Sequence, residues 1–162
     1  HLRTTGVYGH DNPFTPVFVR RPAVRRARAV TPAAVKRLLG AVGGGVLGAR
    51  DRALVLCLMG QTTRAVAAYT VADAERRDPD VRAAVREYLR RAGRATAAGG
   101  EYVFVPLRPR AAGHLHDGDV DPGRHLSPAQ VAAVVRKLAG RAGVRVGARS
   151  LRGAARAVSE NG

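Results

Sequence analysis

Val35, Leu38, Leu39 and Val42 recur three and four positions apart, which puts them on one face of a helix of about three turns. Thr31-Pro32 supplies its start, a capping hydroxyl followed by proline at the first helical position, and Gly43-Gly44-Gly45 ends it. A second helix is expected from about Ala49 to Met59; after Arg52 it is apolar nearly all round, the pattern of a helix at the centre of a domain. A shorter helix is expected over Arg64 to Tyr69, and Thr70-Val71-Ala72-Asp73-Ala74-Glu75 closes this block. Asp78-Pro79-Asp80 starts another helix, with Val81, Ala84, Val85, Tyr88 and Leu89 turned inward and Arg82, Arg86, Arg90 and Arg91 outward. Gly93 and the Ala/Gly-rich stretch to Gly100 end it. Tyr102-Val103-Phe104-Val105 is the one segment that reads as a strand, stopped by Pro106. Residues 108–125 read as a polar loop. Ser127-Pro128 then caps a helix bearing Val131, Val134, Val135 and Leu138 and ending near Gly140 to Gly143, and Ser150 is expected to cap a last helix that begins Leu151-Arg152 and runs to Gly162. One strand does not make a sheet, so the fold class is mostly α, within the α+β range, with a minimal β element.

Composition narrows the function. A chain of 162 residues with 46% apolar content suffices for one compact domain and is too short for two. Its formal net charge of +16 and pI near 11.7 are the electrostatic footprint of a polyphosphate partner. Arginine outnumbers lysine 26 to 2, a bias that GC-rich coding also produces, so charge supports nucleic-acid binding without proving it. Aromatic residues make up 4% and none is tryptophan, which argues against a stacking platform for single strands and favours phosphate-led contact with a duplex. The single cysteine, Cys57, lies in an apolar run and reads as a small buried hydrophobe. That run falls far short of the roughly 20 residues needed to span a membrane, and no signal peptide opens the chain. A reducing, cytoplasmic setting is expected, with no membrane partner.

The order of these blocks resembles the tyrosine recombinase (phage integrase) family over nearly the whole chain. Ala29-Val30-Thr31-Pro32-Ala33-Ala34-Val35-Lys36-Arg37-Leu38-Leu39 resembles the opening helix of that family's catalytic domain. Ala49-Arg50-Asp51-Arg52-Ala53-Leu54-Val55-Leu56 resembles its central helix, and Leu126-Ser127-Pro128-Ala129-Gln130-Val131 through Gly143-Val144 the helix before its main motif. Asp11-Asn12-Pro13-Phe14 and the following basic cluster Arg20, Arg21, Arg25, Arg26 and Arg28 resemble the end of the DNA core-binding domain and its linker. The resemblance thus divides the chain into the end of a core-binding domain with a basic linker over residues 1–28 and an incomplete catalytic domain over 29–162. A disordered basic tail is the other reading of residues 1–28.

In this family a tyrosine attacks a DNA phosphodiester while two arginines, a lysine and histidines stabilise the added charge or move protons. The resemblance puts the second catalytic arginine at Arg152, within Arg149-Ser150-Leu151-Arg152-Gly153. Arg149 stands where the family has a histidine and cannot shuttle protons near neutral pH; Gly153 stands where it has another and offers no side chain. Counting back from Val71-Ala72-Asp73, the first catalytic arginine falls on Thr62, whose hydroxyl cannot form a bidentate cationic clamp. Arg64, two residues on, points elsewhere on a helix. The lysine-bearing β-hairpin is absent, since only Arg76 and Arg77 separate Glu75 from Asp78. The nucleophilic tyrosine would lie beyond Gly162, and Tyr8, Tyr69, Tyr88 and Tyr102 read as packing residues with hydroxyls at the surface.

Other constellations carry less. His114-Leu115-His116-Asp117-Gly118-Asp119-Val120-Asp121 has metal-ligand residue types but fails the calcium-loop pattern and reads as a solvated loop. No metal, cofactor or small-molecule substrate is expected. The reading is a DNA-binding protein of the recombinase family, inactive as given, contacting double-stranded DNA through Arg20, Arg21, Arg25, Arg26, Arg28, Arg149 and Arg152, with self-association on the DNA. Two alternatives stay open: a non-catalytic duplex-binding module and a non-functional integrase relic.

Overall fold

The computed structural model describes residues 30–107 and 123–154. Seven helices succeed one another in them: α1 (Pro32–Gly40), α2 (Gly45–Leu58), α3 (Thr63–Ala67), α4 (Val71–Glu75), α5 (Pro79–Arg91), α6 (Pro128–Ala142) and α7 (Ala148–Leu151). The mostly helical class expected from the periodicity is what is observed.

The helix starts are set by local chemistry. Thr31 Oγ1 accepts the Ala34 N–H and Pro32 occupies the first turn of α1. In α6, Ser127 and Gln130 cap each other reciprocally, and Gly143 ends the helix in the left-handed region at φ +61°. α1 ends at Gly40 with Ala41 as its C-cap, short of the glycine run 43–45 that was expected to end it, and that run serves the next helix instead. Gly44 is the N-cap of α2, which therefore begins four residues before the expected Ala49. Gly48 shows why the approach must be glycine-lined: a Cβ there would stand 1.8 Å from the Gly43 carbonyl oxygen.

α2 is the central helix, with Ala53, Leu54, Val55, Cys57 and Leu58 buried, and it packs most extensively against α5. α5 presents Ala84, Val85, Tyr88 and Leu89 to it, as its spacing requires. α6 lies against α3, α1, α2 and α7 through Val131, Val135, Leu138 and Ala139. A single apolar cluster runs through all these contacts, and among the described residues no polar or charged residue is buried.

Three expectations need correction. The Tyr102–Val105 segment forms no strand: only Tyr102 makes a β-bridge, to Thr70. The Val103 N–H donates to Tyr69 and the Val71 N–H to Glu101, but pairing stops there because Val71 already begins α4. An extended segment propagates only along a partner that stays extended. Val103, Phe104 and Val105 are nonetheless fully buried, and the Phe104 ring stacks between Tyr69 at 6.5 Å and Tyr88 at 5.9 Å. Second, the stretch Val71–Glu75, expected only to close its block, is helical. Thr70 and Asp73 form a reciprocal capping box: the Asp73 carboxylate accepts the Thr70 N–H and hydroxyl, and Thr70 Oγ1 accepts the Asp73 N–H. Third, α7 starts at Ala148, not at Leu151, because Ser150 acts inside the turn: its hydroxyl accepts the Gly147 N–H at 3.0 Å and donates to the Gly147 carbonyl at 2.8 Å.

Candidate nucleic-acid interface

α7 is one turn long, and the turn sorts its residues. Ala148, Leu151 and the nearby Ala154 are buried against the core, which leaves Arg149 and Arg152, three apart on the opposite side, exposed. Neither arginine has an ion-pair partner among the described residues. Together with Ala148 they face Gln61, Thr62 and Thr63 across a cleft of about 220 Å³. The packing of α7 on α2 and α6, and of α3 on α6, brings together two segments almost ninety residues apart in sequence.

On the opposite wall, Thr62 is the N-cap of α3, its Oγ1 accepting the Ala65 N–H at 3.2 Å. A threonine at this position therefore has a local task that an arginine could not perform. Thr62 is exposed and its hydroxyl proton remains able to donate into the cleft. Arg64 is exposed and does not line the cleft, consistent with its position two residues along the helix.

Sequence reasoning missed Arg77. It sits where the chain passes directly from α4 to α5, and its Nε donates to the Tyr69 hydroxyl at 3.1 Å while its guanidinium lies against the Gln61 side-chain amide, which satisfies it by turning its oxygen toward Arg77. Gln61 lines both the arginine cleft and a second cavity of about 280 Å³ that also contains Cys57, Tyr69 and Arg77. Arg77 thus fixes the amide of a residue on the cleft wall, a link that sequence could not show because Gln61 and Arg77 are separated by two helices, α3 and α4. The same cavity contains the one cysteine. Burial pushes the Cys57 thiol up to about 12, with Arg77 opposing, so it is a packing residue and not a nucleophile.

Tyr69 and Tyr88 depart from the surface positions expected for their hydroxyls, Tyr102 is half-buried, and Tyr8 lies outside the described residues. The Tyr69 hydroxyl donates to the Asp73 carbonyl and accepts from Arg77; burial, then the neighbouring Cys57, raises its pKa. Tyr88 is wholly buried. Its hydroxyl has no well-formed hydrogen bond, although the Val105 backbone is close enough to act on its ionisation; burial dominates and raises the pKa. A phenol held this way is poorly disposed to attack a phosphodiester.

Arg20, Arg21, Arg25, Arg26 and Arg28, and the His114–Asp121 stretch, lie outside the described residues. Among the described residues no group of histidine, cysteine and acidic side chains could hold a metal, and no helix is long and apolar enough to cross a membrane. Compared with known proteins, the chain matches no family model, no curated protein and no solved structure.

Proposed function

We propose that this chain is a degenerate tyrosine-recombinase catalytic core that grips the backbone of double-stranded DNA without cutting it. The observation that carries this reading is the cleft shared by Arg149, Arg152 and the 61–63 segment. In a recombinase core the positions corresponding to Thr62 and Arg152 border one phosphate, and here they border one cleft. Two exposed guanidinium groups can donate paired hydrogen bonds to phosphate oxygens, with threonine hydroxyls and the Gln61 amide as neutral donors beside them.

The groups missing from the site decide between binding and cleavage. Phosphoryl transfer needs cations aimed at the charge that develops in the transition state and a group that moves a proton near neutral pH. Position 62 carries no cation, Arg149 does not deprotonate, and Gly153 has no side chain. The continuous apolar core counts against a relic that does not fold.

Two measurements on the full chain test this. Anisotropy of a short fluorescent duplex should show affinity that falls steeply between about 50 and 200 mM salt. A nicked suicide duplex should yield no covalent protein–DNA adduct. Salt-insensitive or absent binding refutes the grip, and an adduct refutes the loss of cleavage.

A further inference from the structure

Charge is segregated along this fold. All seven acidic side chains among the described residues lie between Asp51 and Glu101, and the five ion pairs lie there too, around α2, α4, α5 and the segment after α5. Residues 30–50 and 123–154 contain no acid at all. Within them Lys36 and Arg37 on α1, Arg136, Lys137 and Arg141 on α6, and Arg145 just beyond are exposed and without an ion-pair partner among the described residues.

The two helices that carry most of these cations adjoin. α1 packs on α6, and Arg37 Nη2 lies 3.6 Å from where a Cβ on Gly143 would stand, so it reaches the end of α6 from the neighbouring helix. At 100° per residue, Arg136, Lys137 and Arg141 fall within a sector of about 140°, opposite the buried Val131, Val135 and Leu138. Attraction to the negative end of α6 explains Arg37 and Arg141 on stability grounds. It does not explain Arg136 and Lys137 in the helix body, and Lys137 and Arg141 are a like-charge pair four apart, which destabilises a helix. A face that disfavours its own fold calls for a partner.

We infer that the α1–α6 face is a second phosphate-contacting surface, continuous in sequence with the α7 cleft through Arg145, which tracks the DNA backbone away from that cleft. The inference rests on the duplex-binding reading and adds residues to it. The partner is a duplex because α1 and α6 themselves carry no aromatic ring to stack on, and among the described residues Tyr69, Tyr88 and Phe104 are buried and Tyr102 is half-buried with His125 against it. It is not a lipid surface because the one exposed large apolar residue among those described, Leu47, belongs to α2. A duplex carries one negative charge per about 1.7 Å of axis, so it meets α6, about 22 Å long, with charge along its whole length.

The test compares three full-length proteins by duplex anisotropy across a salt series: the unmodified chain, Arg136→Ala/Lys137→Ala/Arg141→Ala, and Arg149→Ala/Arg152→Ala. Each lost phosphate contact flattens the slope of log K against log salt by about 0.9, so the first variant should be shallower by about 2.7 and the second by about 1.8. A first variant that binds like the unmodified chain, while the second is weakened, overturns this inference and leaves the cleft reading intact. An unmodified chain that does not bind duplex removes both. Tighter binding to single strands or to anionic phospholipid vesicles than to duplex overturns the choice of partner. Because the three α6 positions are exposed and include a repelling pair, melting should not fall; should it fall, Arg136→Gln/Lys137→Gln/Arg141→Gln keeps the helix and repeats the measurement.

Discussion

Arg94 offers the sharpest test of how this scaffold holds together. Its side chain is 9% exposed and ties the segment after α5 to itself: Nη1 donates to the Val103 carbonyl at 3.2 Å, and Nη2 to the Tyr102 carbonyl at 2.9 Å and to Glu101 at 3.1 Å. That segment delivers Phe104 between Tyr69 and Tyr88. Arg94→Ala leaves two backbone carbonyls without their donor. A fully buried orphan costs about 1–3 kcal/mol; with Tyr102 half-buried, about 1 kcal/mol each is the appropriate scale, so about 2 kcal/mol in all. The half-buried Glu101 carboxylate, facing solvent on one side, adds little. For a domain of this size that lowers Tm by about 4–8 °C. Arg94→Lys keeps the charge but cannot reach both carbonyls with a planar fork, and should lose about half as much. Arg90→Ala, which breaks an exposed pair with Glu87, is the control and should leave Tm unchanged. Thermal unfolding tracked by circular dichroism measures all three. If Arg94→Ala melts with the Arg90→Ala control, the clamp does not hold the segment and the reasoning fails.

Local features give three further outcomes. Asp73→Ala removes the α4 capping box and should cost about 1 kcal/mol by denaturant unfolding. The Thr70 amide and hydroxyl hold the Asp73 carboxyl below the usual aspartate range, so its stabilisation is complete above that range and is lost as pH falls through the lower native value; the variant should show a weaker acid dependence, and an unchanged one would count against the box. Cys57 should react with a thiol reagent only when the protein opens, and rapid labelling in native buffer would contradict its burial. Gly48→Ala drives a methyl into the Gly43 carbonyl and should cost about 1–3 kcal/mol, whereas Gly40→Ala, with open space around it, should be harmless or stabilising in the same unfolding assay.

The helices are legible in the sequence because each carries its instructions within a few residues. Thr31-Pro32 and Ser127-Pro128 cap α1 and α6, the periodic valines and leucines select the buried faces, and the unbroken apolar run in α2 announces a central position. Charge excess and the arginine pair at 149 and 152 are equally local. The Thr70–Asp73 capping box is there to read as well, since a threonine and an acid three apart are its signature, but five residues carry too little periodicity to stand out.

Everything else requires residues distant in sequence to meet. Tyr102–Val105 has strand composition, yet a strand exists only with a partner, and here Thr70 turns at once into α4, so the segment serves the core as an aromatic wedge. Ser150 has the residue type of a cap for a helix starting at Leu151 and instead closes the turn that begins at Gly147, because Leu151 and Ala154 must both reach the core. The cleft itself is a product of packing: nothing near Thr62 in the sequence refers to Arg149 or Arg152, and only the stacking of α3 and α7 against α6 makes them neighbours. Charge segregation belongs to the same class. The sequence determined how many cations there are and in which stretches acids are lacking, but whether they neutralise one another or form a face depends on which helices stand side by side, and that is a property of the tertiary structure alone.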